Sequence, residues 1–177
     1  MNRLIIAVCL AFVTFVDARA AVLWVDYRQV APVQWDVEFR LANSGLLPAL
    51  TGFTVYFPHT EFQTMSLSAS PVAWDSLVIQ PDVALQSPGF LDSVLLNPAQ
   101  PLLPGQSQGG FVARFEYLGA APLPMLTFEI VDLEFNVLYS GTTSLVPEPT
   151  TAIILALGLV ALGVRLRRRK LVARPCV

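Results

Sequence analysis

The sequence predicts an all-β fold, an antiparallel β-sandwich of about seven to nine strands, with a signal peptide before it and a single transmembrane helix after it. Three observations predict this. Several segments alternate apolar and polar residues, turn-forming residues separate these segments, and an uncharged apolar run lies near each end of the chain. The 177 residues, 54% of them hydrophobic, leave space for one domain between those runs. We place the sandwich in residues 21–145.

Residues 1–20 have the three parts of an export signal. Arg3 supplies the positive charge, LIIAVCLAFVTFV supplies the apolar run, and Ala18 and Ala20 form the small-x-small pattern of a cleavage site. We therefore predict export by the Sec machinery and cleavage after Ala20. An uncleaved N-terminal anchor is the alternative, although the apolar run is shorter than the about 17 residues that a membrane span needs.

The strands of the sandwich are predicted from period-two alternation. It is clearest in QWDVEFRL, GFTVYF and GFVARFEYLG, where every second residue is apolar. Two more strands are predicted at Leu126-Phe128-Ile130 and Phe135-Val137-Tyr139, joined by a turn near Asp132 and Leu133. Shorter runs in AVLWVDY, SLVIQ and VLLN add three. Both cysteines, Cys9 and Cys176, lie outside this region, so its core must hold without a disulfide.

The charge of the predicted sandwich excludes one class of partner. Residues 21–145 hold three arginines and eleven carboxylates, a formal net charge of −8. An acidic surface repels phosphate groups, so we expect no nucleic acid and no anionic lipid to bind through this domain.

One catalytic pattern occurs, the G-x-S-x-G of Gly105 to Gly109, which in hydrolases places a serine on a strand-to-helix turn. Here Ser107 precedes an alternating strand instead of a helix. A hydrolase triad of this type also needs a histidine after the serine, whereas His59, the one histidine of the chain, comes before it. We therefore predict no catalytic residue and no enzyme.

Other candidate sites are weak. A lone histidine such as His59 has no metal partner, and the acidic pairs Asp132 and Glu134 or Asp26 and Asp36 lack calcium-loop spacing. We predict no metal and no cofactor. Tryptophans could form a sugar-stacking platform, but two of the three occupy apparently inward strand positions, where packing in the core is the default; the candidates are Trp24, Trp35 and Trp74.

The C-terminal region has the features of a membrane signal. Thr151 to Val164 is a run of 14 residues without charge, about 21 Å long as a helix, and Pro147 and Pro149 exclude a helix before it. The basic cluster that follows places this end in the cytoplasm by the positive-inside rule; it comprises Arg165, Arg167, Arg168, Arg169 and Lys170. With the export signal, this arrangement puts the sandwich outside the cytoplasm. A permanent single-pass anchor is an alternative.

The order of Pro147, Glu148 and Pro149, a short Leu/Ala/Gly helix and an arginine cluster closely resembles the PEP-CTERM sorting signal of Gram-negative bacteria, over residues 146–170. The resemblance implies an exosortase, a membrane-embedded cysteine transpeptidase, as the partner that reads Pro-Glu-Pro, removes the helix and passes the protein to the cell surface. A short tail, residues 171–177, follows. The body also looks like domains often carried by such proteins, a resemblance that implies no activity.

The sequence as a whole predicts an exported, non-enzymatic surface or extracellular-matrix protein, sorted by an exosortase and associated with exopolysaccharide or biofilm. Its precursor would sit in the inner membrane with the body outside the cytoplasm. The alternative is a permanently membrane-tethered β-sandwich module that binds a glycan or a protein.

Overall fold

A computed structural model describes residues 21–120, 122–146 and 158. The contacts of the chain divide it into two units, Met1–Leu145 and Val146–Val177, and the strands that the structure describes lie in the first unit. The predicted signal peptide and its Ala18 and Ala20 site lie outside the described residues. So do the predicted Pro-Glu-Pro motif, the ends of the predicted helix at Thr151 and Val164, and the basic cluster of residues 165–170.

Within residues 21–120 and 122–146, ten strands form two sheets. Their bounds are β1 Ala21–Gln29, β2 Gln34–Asn43, β3 Gly52–Phe57, β4 Phe62–Ala69, β5 Trp74–Ile79, β6 Gly89–Leu95, β7 Ser107–Tyr117, β8 Thr127–Val131, β9 Val137–Thr142 and β10 Ser144–Leu145. The first sheet has the order β10-β1-β2-β7-β4, and the second has the order β5-β6-β3-β8-β9. Neighbouring strands are antiparallel except for β1 and β10, which run parallel.

Alternation builds the core between the two sheets. Alternate residues of β1, β2, β3 and β7 point inward, and most of them are almost fully buried; large side chains dominate. Phe53 of the second sheet meets Phe111 of the first edge-on, with ring centroids 4.9 Å apart. Phe57 makes similar contacts with Phe39 and Phe62 across the same gap. Each such side chain contributes about 2–3 kcal/mol by burial, so the core needs no disulfide.

The predicted antiparallel sandwich is confirmed, with ten strands where about seven to nine were expected. The additional strands are β4 and the two-residue β10. Two predicted strands are displaced along the chain. VLLN lies at the end of β6 and just past it, and Phe135 lies in the turn before β9, with a φ of 61°.

Gly89 is the first residue of β6, and it allows this strand to start close to the end of β5. A Cβ atom at this position would lie 2.7 Å from the ring of Pro81 and 2.8 Å from the carbonyl oxygen of Ile79. Only glycine lets β6 pass this close to the end of β5. We infer that Gly89 fixes the pairing of Ile79 with Phe90 that continues along both strands.

A polar clamp closes the side of the sandwich where β4 lies beside β5. The Gln80 side chain follows β5 and reaches the backbone of Met65 in β4, accepting from its N–H at 2.7 Å and donating to its carbonyl oxygen. Nearby, the hydroxyls of Ser70, Ser76 and the buried Ser93 form a hydrogen-bonded chain. Backbone and side-chain groups that would otherwise be left unpaired are thereby satisfied.

Within the residues that the structure describes, no helix has the length and apolar character to cross a membrane.

Candidate functional site

The described part of the body ends just before the predicted sorting motif, and a buried threonine holds its last strands in place. Thr143 lies between β9 of the second sheet and β10 of the first. Its N–H donates to the carbonyl oxygen of Leu126 at 2.8 Å, and its hydroxyl accepts from the N–H of Leu126 at 2.9 Å. The chain then pairs with β1 through Ser144 and Leu145. Strand structure therefore continues to the second residue before Pro147.

The G-x-S-x-G segment does not form a hydrolase elbow. Ser107 is the first residue of β7 and pairs with Ala42, so a strand follows it instead of a helix. The other end of β7, Tyr117, pairs with Phe62, three residues after His59. At about 3.3 Å per residue, a strand of 11 residues separates Ser107 from the His59 loop by about 30 Å. The two side chains lie at opposite ends of the sandwich.

One member of each acidic pair considered for calcium, Asp132 in the first and Asp36 in the second, uses its carboxylate oxygens within the protein. Both oxygens of Asp132 accept hydrogen bonds from its own loop: from the backbone N–H groups of Glu134 and Asn136, and from the side-chain amide of Asn136. These bonds, that of the Asn136 side chain first, lower the pKa of Asp132 below its usual value. Within residues 21–120 and 122–146, no group of three metal-ligating side chains is found.

Asp36 is held by an ion pair on the outer face of the first sheet. Arg114 of β7 donates to both of its carboxylate oxygens, at 2.7 and 2.9 Å. This bidentate pair lowers the pKa of the Asp36 carboxyl, chiefly through the hydrogen bonds from Arg114. Asp26 lies two residues along β1 from Arg28, the cross-strand partner of Asp36. The Asp36 carboxylate is thus occupied by Arg114, and its role is structural.

The three tryptophans do not form one surface. Trp74 is buried against Phe53 and Phe111 in the core, and Trp35 lies at an inward position of β2. Trp24 alternates with the buried residues of β1 and therefore faces outward from the first sheet. The sugar-stacking platform considered for these residues is not assembled.

Another aromatic surface lies on the outer face of the second sheet, and the sequence reasoning missed it. Tyr56 of β3 and Phe90 of β6 are direct cross-strand partners, both partly exposed. Next to them, Thr54 donates to Asp92 at 2.7 Å and Tyr56 donates to Glu129 at 2.7 Å. We call Thr54, Tyr56, Phe90, Asp92 and Glu129 the outer platform. The signal in the sequence was the presence of Tyr56 and Phe90 at the alternate, outward positions of their strands.

Partial burial and the Glu129 carboxylate together keep the Tyr56 hydroxyl protonated. Partial burial first, and then the hydrogen bond to Glu129, raise the pKa of Tyr56 to about 12. The phenol therefore stays protonated and continues to donate to Glu129 at physiological pH. This bond fixes the direction of the Glu129 carboxylate.

Within residues 21–120 and 122–146, the strands of the second sheet carry no positive charge. The strands of the second sheet carry three carboxylates and no arginine or lysine, whereas Arg28, Arg40 and Arg114 all lie in the first sheet; the carboxylates are Asp75, Asp92 and Glu129. The outer platform is consequently an aromatic surface that offers acceptors and repels anions.

Comparison with known proteins identifies the C-terminal segment. A family model described as the PEP-CTERM protein-sorting motif matches residues 145–170. This confirms the resemblance found in residues 146–170. The chain thus carries a PEP-CTERM sorting motif, which implies an exported protein that is sorted by an exosortase. No curated protein matches the chain.

A solved structure shares the fold of the body. An uncharacterized protein from Nocardia farcinica with an immunoglobulin-like fold is 18% identical, with a TM-score of 0.50, and the match covers 72% of this chain and 86% of that one. A cohesin module from a family 33 glycoside hydrolase of Clostridium perfringens is 11% identical, with a TM-score of 0.45, covering 71% of this chain and 96% of the module. These likenesses concern the fold alone.

Proposed function

We propose that this chain, which carries a PEP-CTERM sorting motif at residues 145–170, is an exported, non-enzymatic surface or extracellular-matrix protein. The Sec machinery exports it, and the C-terminal helix holds the precursor in the inner membrane with the sandwich outside the cytoplasm. An exosortase then reads Pro147, Glu148 and Pro149 and passes the body to the cell surface or the polymer matrix, in association with exopolysaccharide in a biofilm.

The match of residues 145–170 to the sorting motif is the observation that carries this proposal. The chemistry of the motif supports it. Proline fixes φ near −65°, lacks an N–H group and disfavours a helical conformation in the residue before it. Glu148 stands between two prolines in the sequence. Such a sequence favours a stiff, extended segment, which an enzyme can bind at low entropic cost.

The structure of the body adds support. The last paired residue of the sandwich is Leu145, and only Val146, whose side chain is 49% exposed, separates it from Pro147. The motif therefore follows directly after the last described strand, and cutting the chain beyond it removes none of the strands in residues 21–146. An intact sandwich would be delivered.

A pair of variants tests the sorting step in the native host. Glu148→Ala removes the carboxylate of the motif, whereas Glu134→Ala removes one from the exposed turn before β9. We expect the mass of the wild-type chain and of Glu134→Ala to show loss of the C-terminal helix, and Glu148→Ala to keep it through Val177. Equal processing of the two variants would contradict the proposal.

The separation of Ser107 from His59 by about 30 Å supports a role without catalysis. Ser107→Ala should therefore leave surface delivery and every measurable property of the body unchanged. A hydrolytic activity that disappears in Ser107→Ala would overturn this part of the proposal.

A second candidate function, a permanently tethered module that binds a glycan, is favoured by the outer platform. Aromatic rings stack on the apolar faces of sugars, and carboxylates such as Asp92 and Glu129 accept hydrogen bonds from sugar hydroxyls. The absence of arginine and lysine from the strands of this sheet favours a neutral polysaccharide over an anionic one.

Glycan binding can be measured by affinity electrophoresis of the purified chain in gels containing neutral or anionic polysaccharides. Under this second candidate, the neutral polymer retards the protein, Tyr56→Ala and Phe90→Ala abolish the retardation, and Trp24→Ala on the first sheet serves as the aromatic control. Retardation that is equal in all variants, or absent in the wild type, would exclude it.

A further inference from the structure

The formal charge of the body is divided unequally between its parts. The strands of the first sheet carry four carboxylates and three arginines, a formal net charge of −1. The rest of residues 21–146 carries seven carboxylates and no arginine or lysine, a formal net charge of −7. Beyond Asp92 and Glu129 of the outer platform, these seven are Glu61, Asp75, Asp82, Asp132 and Glu134. The negative charge is therefore concentrated in the second sheet and the loops, where it attracts cations.

The outer platform lies within this negative region, on the three middle strands of the second sheet, and strand pairing arranges it in two rows. Tyr56 and Phe90 form an aromatic row, which Ile79 of β5 extends because it pairs with Phe90. In the second row, Asp92 of β6 and Glu129 of β8 lie opposite the same residue of β3. Outward positions along a strand are two residues, or about 6.7 Å, apart, so the carboxylates lie beside the rings.

Both carboxylates of the outer platform act on its aromatic row. Partial burial first, then the hydrogen bond to Glu129, and then the charges of Glu129 and Asp92 raise the pKa of Tyr56 to about 12. Negative charge that disfavours an ionised phenol favours a cation at the same place. The faces of tyrosine and phenylalanine rings attract cations as well. A positively charged group of a ligand is thus stabilised both by the rings and by the carboxylates.

Hydrogen bonds within the protein hold these two carboxylates in position. Thr54 donates to Oδ1 of Asp92 at 2.7 Å, and Tyr56 donates to Oε2 of Glu129 at 2.7 Å. An ionised carboxylate has about four lone-pair sites, so each of these groups can accept further hydrogen bonds from a ligand. Because the acceptors are already oriented, a ligand that binds to them immobilises little additional side chain.

The place of the outer platform in the sheet favours a sugar over a peptide. β3 pairs with β6 on one side and with β8 on the other, so its backbone N–H and C=O groups serve the sheet itself. A peptide that binds by strand addition needs an open sheet edge instead. A sugar ring needs side chains alone, because it places its apolar face on an aromatic ring and its polar groups against acceptors.

We propose that the outer platform binds a polysaccharide of amino sugars whose amino groups are free and protonated. This inference rests on the glycan-binding candidate function and names its ligand class. The sugar rings stack on Tyr56 and Phe90, and the ammonium groups donate to Asp92 and Glu129. The negative charge outside the first sheet attracts the polymer to the body, because the two carry opposite charges.

A glucosamine hexamer and its fully N-acetylated form, which is neutral, test the proposal on the full chain purified from its host. Isothermal titration calorimetry at about pH 5.5 keeps the amines protonated and the carboxylates ionised. At low salt, the dissociation constant should be about tenfold lower for the free-amine hexamer, and this difference should shrink as salt screens the charges. Hexalysine, a cation without sugar rings, should bind no more tightly than the acetylated hexamer.

Two double variants locate the binding site. Asp92→Asn with Glu129→Gln removes both charges of the platform, while the amide oxygens can still accept the existing hydrogen bonds. This pair should weaken binding of the free-amine hexamer about tenfold, to the level of the acetylated one. Asp26→Asn with Glu38→Gln removes two exposed charges from the first sheet and should change the affinity by less than about twofold.

The remaining outcomes separate this proposal from the candidate function on which it rests. Equal affinity for the two hexamers would overturn the proposal and leave glycan binding standing, whereas binding of neither hexamer would exclude both. Equal losses in the two double variants would show general attraction to an acidic body and would also overturn the proposal. So would hexalysine that binds as tightly as the free-amine hexamer.

Discussion

Single side chains in the aromatic core decide the stability of the body, because each ring fills space between the two sheets. Phe111 is fully buried and contacts Phe53 at 4.9 Å and Trp74 at 5.1 Å between ring centroids. Removing it leaves a cavity that the tightly paired strands cannot fill.

Phe111→Ala should lower the free energy of unfolding of residues 21–146 by about 3–5 kcal/mol. Phe135→Ala removes a ring of the same size that is 62% exposed. This substitution should change the free energy of unfolding by less than about 0.5 kcal/mol. Urea denaturation followed by tryptophan fluorescence measures both. Similar losses in the two variants would show that Phe111 does not occupy the core.

The ion pair of Asp36 with Arg114 gives the body a defined acid sensitivity. Hydrogen bonds from Arg114 hold the pKa of the Asp36 carboxyl below its usual value. Because that pKa is lower in the folded chain than in the unfolded chain, the pair stabilises the fold above about pH 4 and loses this contribution as the pH falls further.

Asp36→Asn should therefore reduce the loss of unfolding free energy below about pH 4, measured by urea titrations at a series of pH values. Arg114→Met should have the same effect, because it removes the partner that lowers the pKa. A pH dependence identical to that of the wild type in both variants would contradict this account of the pair.

At the scale of the element, strands with regular alternation were predictable and irregular ones were not. β2, β3 and β7 follow the period-two pattern, so their faces could be assigned from sequence. β4 could not, because its two register breaks interrupt the alternation. In β6, Gly89 and Ser93 lie at inward positions. Because these residues are not large and apolar, the sequence pattern does not predict which face of β6 is buried.

Of the two candidate sites, the sorting motif was predictable from the sequence and the outer platform was not. The sorting motif is a local run of residues, so the sequence alone identified it. The outer platform depends on the pairing of β3 with β6 and β8, which brings together residues 38 and 73 positions apart. Pairing of strands so distant in the chain is set by the tertiary fold, and local patterns do not predict it.

The Gln80 clamp is an element-scale device whose removal should be costly. Gln80→Ala leaves the N–H and carbonyl groups of Met65 without their partner at the β4 edge, which should cost about 1–3 kcal/mol of unfolding free energy. Gln100→Ala, in the exposed loop between β6 and β7, is the control and should be nearly neutral. Equal effects would indicate that the clamp contributes nothing to stability.

At the scale of the whole molecule, the described side chains that form the hydrophobic core lie between Ala21 and Val131. Residues 21–146 should therefore fold without the two apolar ends of the chain. Expressed alone, they should unfold in one cooperative transition, with the same midpoint by tryptophan fluorescence and by far-UV circular dichroism. Non-coincident transitions would show that the body depends on the rest of the chain.

We propose that both apolar ends of the chain are transit signals for a folded body. The intact mass of the chain, purified from host cells with and without exosortase, tests it most directly. We predict a start at Ala21 in both strains, loss of the C-terminal helix when the exosortase is present, and retention through Val177 when it is absent. A chain that starts at Met1, or that keeps Val177 in both strains, would contradict the account.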